Sequence, residues 1–98
     1  MKRTLNTNDR QQVNVMKEAE RMSKNGDIVA VIYSGTFNNY SVRKLRPHAQ
    51  FPDRKDLFDW NSEDWNETAY AAFKNGKQLD ISHSIAPRKI VVNEFPMH

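Results

Sequence analysis

Aromatic and cationic side chains crowd one short stretch of this chain, where Tyr33, Phe37, Asn38, Asn39 and Tyr40 are followed by Arg43, Lys44, Arg46 and His48. Rings open to solvent stack on unpaired nucleobases at about 1–3 kcal/mol each, while Arg and Lys beside them neutralise phosphates. On an exposed hairpin the set suits RNA or single-stranded DNA. Tyr33, Phe37 or Tyr40 would stack, and Arg43, Lys44, Arg46, Arg54, Lys55, Arg88 and Lys89 would supply the positive charge. The plainer alternative is that Tyr33 and Tyr40 pair across the hairpin while the cations keep an edge strand soluble.

A second cluster alternates acids with large rings: Asp53, Asp56, Asp59, Glu63, Asp64 and Glu67 lie among Phe58, Trp60 and Trp65. Tryptophan is a frequent anchor of protein interfaces, so Phe58 and Trp60 are candidates for docking a partner protein. The competing assignment puts Trp65 in the core with Trp60 closing a loop over it.

Other chemistries find little support. His48, His83 and His98 are far apart in sequence, and the acids of 53–59 lack the spacing and central glycine of a calcium loop, so no metal is implied. Cysteine is absent, which removes disulfides, thiolate zinc sites and thiol nucleophiles. Ser34-Gly35 lacks the flanking glycines of a nucleophile elbow, and three glycines make no phosphate-cradling loop. A metal-free ribonuclease using His48 and His83 with Lys44 or Lys89 is the remaining catalytic option, since those groups can shuttle a proton beside phosphate. No cofactor is implied.

Ninety-eight residues carrying 15 Lys+Arg against 12 Asp+Glu, with 38% hydrophobic and 28% charged side chains, suit one folded domain over 1–98. The formal charge of +3 permits contact with a polyanion without demanding it. The longest apolar run, Ile28 to Tyr33, is six residues and no leader is visible, so a cytosolic protein is expected.

The elements that must position these groups follow from periodicity. Residues 1–7 read as an arm. Thr7 or Asn8 can cap a helix over 8–24, on which Gln12, Val15, Met16, Ala19 and Met22 form one stripe, and Lys24-Asn25-Gly26 stops it. Residues 27–34 read as a strand apolar on both faces, 35–39 as a turn and 40–45 as its antiparallel return. Residues 47–60 are an irregular loop. A second helix, capped at Asn61 or Ser62, carries Trp65, Ala69, Ala72 and Phe73 on one face and stops at Lys74-Asn75-Gly76. Strands 78–83 and 89–94 follow, joined by a turn containing Pro87.

The expected fold is therefore α+β, with two helices packed on a four-stranded, mainly antiparallel sheet in the order α-β-β-α-β-β. Helix, Lys-Asn-Gly and strand occur twice, as a duplication would leave them, although glycine so commonly ends a helix that the shared stop more readily arises independently. The function expected is a small non-enzymatic module that binds nucleic acid through the hairpin. The alternative is a regulatory or inhibitory protein, of the phage or bacterial accessory type, that binds a partner protein or nucleoprotein complex without nucleic-acid affinity of its own. A homodimer covering the two-faced strand also stays open.

Overall fold

A computed structural model of the chain describes residues 7–61, 66–83 and 89–94. The first helix forms as its stripe dictates. Helix α1 (Thr7–Met22) tightens into a 3-10 turn (Ser23–Asn25), and Gly26 ends it at φ 102°, a left-handed position that costs glycine little. Val15, Met16, Ala19 and Met22 pack on one face of a sheet, against Val29, Val31, Ala71 and Phe73.

Among the described residues eight strands follow: β1 (Val29–Ser34), β2 (Asn39–Lys44), β3 (Arg46–Pro47), β4 (Leu57–Asp59), β5 (Glu67–Lys74), β6 (Lys77–Gln78), β7 (Asp80–His83) and β8 (Lys89–Glu94). They form two antiparallel four-stranded sheets. Sheet I has the order β2-β1-β5-β6 and sheet II the order β3-β4-β8-β7. The two-faced strand of 27–34 is β1, at the centre of sheet I. Its odd positions face the helix, and Ala30 and Ile32 face sheet II. The inter-sheet core holds Ile32, Leu45, Phe58, Trp60, Ala69, Ala72, Leu79, Ile90 and Val92.

The expectation of two helices on one sheet is thus overturned. Among the described residues α1 is the one α-helix, and the segment read as a second helix is strand β5. The reason lies in the pairing of β5 with β1. The β1–β5 ladder pairs Val31 with Ala71 and Ile32 with Ala69, so Tyr70 is an extra residue on β5. A bulge of this kind reverses the side-chain alternation. Ala69 and Ala72 then share the inter-sheet face at a spacing of three, which in sequence imitates a helix. Trp65, expected to head that helix, lies outside the described residues, as do Ser62 and Pro87.

The two Lys-Asn-Gly segments do different work. The first ends α1. The second is a two-residue hairpin turn, with Asn75 at φ 54° and Gly76 at φ 76° between the paired Lys74 and Lys77, the dihedral signs of a type I′ turn. They also meet: the buried Ser23 hydroxyl accepts from Gly76 N (3.0 Å), and Ser23 O accepts from Asn75 N (2.8 Å) and Gly26 N (3.0 Å).

A repeat does exist, but of strands. Exchanging β1–β4 with β5–β8 leaves the order of both sheets unchanged. Each half is a hairpin, a one-residue corner and a second hairpin. The corners are Leu45 and Leu79, both buried, whose amides continue the ladders to Ile28 O (2.9 Å) and Ala72 O (2.8 Å). Chain that passes from one sheet to the next at a bend is the usual corner of an orthogonal β packing.

Candidate functional site

On the hairpin, Tyr33 and Tyr40 are direct cross-strand partners on the helix side of sheet I. Their rings lie 5.0 Å apart, and Tyr70 meets Tyr40 edge-on at 5.8 Å. Both are half-buried. The Tyr33 hydroxyl donates to Asn38 Oδ1 (2.6 Å), and Tyr40 N donates to Gln11 Oε1 on α1 (2.7 Å). The packing alternative therefore describes this pair. Phe37, at the turn, is 70% exposed.

Three of the predicted cations have acidic partners. Arg43 reaches Glu67 Oε2 (3.2 Å) and donates to Asn61 O (3.3 Å); the Glu67 side chain is 4% exposed and also accepts from Trp60 Nε1 (3.0 Å). Removing Arg43 would strand a buried carboxylate, so its role is structural. Lys44 pairs with Asp27 (3.2 Å), and its hydrogen bond holds that carboxyl below the ordinary value. Arg54 grips Asp56 with two bonds (2.8 and 3.0 Å), which raises the guanidinium and lowers the carboxyl. These last two pairs are solvent-exposed and worth little, so a phosphate could exchange for either carboxylate. Arg88 lies outside the described residues.

Phe58 and Trp60 do not present a docking surface. They are 7% and 3% exposed, inside the inter-sheet core. Phe58-Asp59-Trp60 alternates as a strand with one covered face requires, sending both rings inward from sheet II. His48 and His83 are not brought together either. His48 follows β3 and His83 ends β7, at opposite edges of sheet II, and His83 Nε2 is occupied by Ala69 O (2.9 Å).

The remaining cations converge elsewhere. Arg46, Pro47, Ala49, Asp59, Trp60, Asn61 and Lys89 line an open cleft of about 360 Å³ at the β3 edge of sheet II. Its charge comes from a row across three strands, since Arg46 is the register partner of Asp59 and Asp59 that of Lys89. At ordinary strand spacing the two cations stand about 10 Å apart at the backbone, with the carboxylate between them. Among the described residues neither Arg46 nor Lys89 makes an ion pair, and neither does Lys55.

Beside the cleft, the stretch read as irregular over 47–60 contains the end of β3 and all of β4, and between those strands it is a chain of three turns. Phe51 N donates to His48 O (3.2 Å), Arg54 N to Phe51 O (3.0 Å) and Leu57 N to Arg54 O (3.3 Å). His48 N bonding Leu57 O (3.1 Å) closes its base, and Val92 N bonding Asp56 O (2.8 Å) ties it to β8. Compact loops whose ends meet are often functional. This one holds the Phe51 ring 52% exposed, propped edge-on by the buried His48 at 5.1 Å. Sequence reasoning missed Phe51 and Asp59 as site residues. The alternation Phe58-Asp59-Trp60 was the available signal for Asp59.

Comparison with protein-family models, curated proteins and solved structures finds no significant match to this chain. Among the described residues, no helix is long and apolar enough to cross a membrane, and no three His, Asp or Glu side chains group as metal ligands would.

Proposed function

We propose that this protein is a non-enzymatic module that binds single-stranded nucleic acid, with backbone phosphates meeting Arg46 and Lys89 in the cleft on sheet II. The observation that carries the reading is the register row Arg46–Asp59–Lys89, which sets two cations, neither ion-paired among the described residues, on either side of one carboxylate. Phosphate is a stronger draw for such a pair than a neutral ligand, and with Asp59 between them the row keeps a net single positive charge. Lys55 and the exchangeable Arg54 add cations on the adjoining loop, where Asp53 and Asp56 balance their charge. The cleft replaces the hairpin as the centre of the site, because Tyr33 and Tyr40 are packed and Arg43 is committed to Glu67.

Fluorescence anisotropy with labelled single- and double-stranded RNA and DNA, across a salt series, tests this. Single strands should bind with log affinity falling linearly against log salt, at about 0.7 per phosphate neutralised. Arg46→Ala and Lys89→Ala should each weaken binding and flatten that slope by about the same 0.7. Absence of binding at low salt would refute the proposal. It would leave the regulatory alternative, now without Trp60 as its anchor.

A further inference from the structure

We infer that Phe51 is the base-stacking ring of this site, so that the cleft and the loop together hold the backbone phosphates and the unpaired base next to them. The inference rests on the nucleic-acid reading above and adds the ligand's second half. Four exposed large hydrophobics occur among the described residues: Val13, Phe37, Phe51 and Tyr70. Two residues past Ala49, Phe51 is of these four the nearest in the chain to the cleft. Arg46, Pro47 and Ala49 line it, and the His48–Phe51 turn brings the ring's backbone within about 7 Å of His48, directly after that lining.

The ring is also held ready. His48, 6% exposed, lies edge-on to Phe51 at an interplanar angle of 76°, and its Nδ1 accepts from Gln50 N (3.2 Å). The loop is bonded at its base and to β8. A ring already fixed in place gives up little freedom when a base stacks on it, so more of the contact appears as affinity. Every base offers a π face but only an unpaired one can present it, which gives selectivity for single strands with little preference among bases.

The test is Phe51→Ala and Phe51→Leu, measured beside Arg46→Ala against the same labelled RNA as single strand and as duplex. Leucine keeps an apolar contact to His48 without a π face, which covers the case in which alanine disturbs the loop. Both variants should bind the single strand about 5- to 150-fold more weakly, the worth of one stack, with the salt slope unchanged. Phe51→Tyr should restore the parent affinity. Arg46→Ala should instead change the slope. Parent-like affinity in Phe51→Leu, while Arg46→Ala is weakened, would overturn the stacking role and leave the phosphate site standing. Equal losses on single strand and duplex would overturn it too. If the parent binds no nucleic acid, both readings fall together.

Discussion

Trp60 is where the fold can be tested most sharply, because the sequence offers it as a surface anchor and the structure buries it. A tryptophan removes about 150–250 Å² from water when buried, which at about 25 cal/mol per Å² corresponds to about 4–6 kcal/mol. Burial in the unfolded chain lowers that figure. At 3% exposure among Phe58, Ile90 and their neighbours, Trp60→Ala should cost about 3–5 kcal/mol. A domain of this size has about 5–15 kcal/mol in total, so the loss is a large share. The indole also supplies one of the donors to the buried Glu67 carboxylate. Trp60→Phe keeps most of the packing and removes that donor, for about 1–3 kcal/mol. Urea unfolding followed by far-ultraviolet circular dichroism reads both variants independently of indole fluorescence. A Trp60→Ala protein within about 1 kcal/mol of the parent would refute the inter-sheet placement of the ring.

Two further outcomes follow from the turns and the exposed pairs. Gly26→Ala and Gly76→Ala, at φ 102° and 76°, should each cost about 1–2 kcal/mol, with Gly76 also meeting Lys24 Cγ at 3.3 Å. Gly35→Ala, whose new methyl would find ordinary contact at 3.5 Å from Asn66 O, should stay within about 0.5 kcal/mol; equal losses at all three would contradict the assigned backbone. Asp27 and Asp56 both have folded pKa values below the ordinary 3.8, so their contribution is present above that value and is lost as pH falls below it. The difference in melting temperature between parent and Lys44→Gln should therefore shrink under acid, and a difference independent of pH would contradict the Lys44–Asp27 pair.

The parts of the fold legible in the sequence were those held by local rules. The stripe from Val15 to Met22 and its stop at Gly26 specify α1, and the β-branched run and turn residues specify β1 and β2. Strand β8 occupies the expected residues 89–94. What escaped was non-local. The bulge at Tyr70 depends on β1 lying alongside, and without that neighbour Ala69, Ala72 and Phe73 read at helical spacing. Strands β3 and β4 have two and three residues, too few to show a period. The cleft was hidden for the same reason. Arg46, Asp59 and Lys89 are distant in sequence and become neighbours through ladders that only the folded sheet provides.

Leu45 and Leu79 bear on the order of events in folding. The strands pair locally as the hairpins β1–β2, β3–β4, β5–β6 and β7–β8, and successive hairpins belong to alternate sheets. Hairpins close in about 1–10 μs, whereas joining the first to the third and the second to the fourth needs long loops to close. A corner of one residue leaves no slack, so when β1 finds β5 the strands of sheet II are carried into reach of one another. Neither sheet can be finished alone, and the domain should gain and lose both in a single cooperative step.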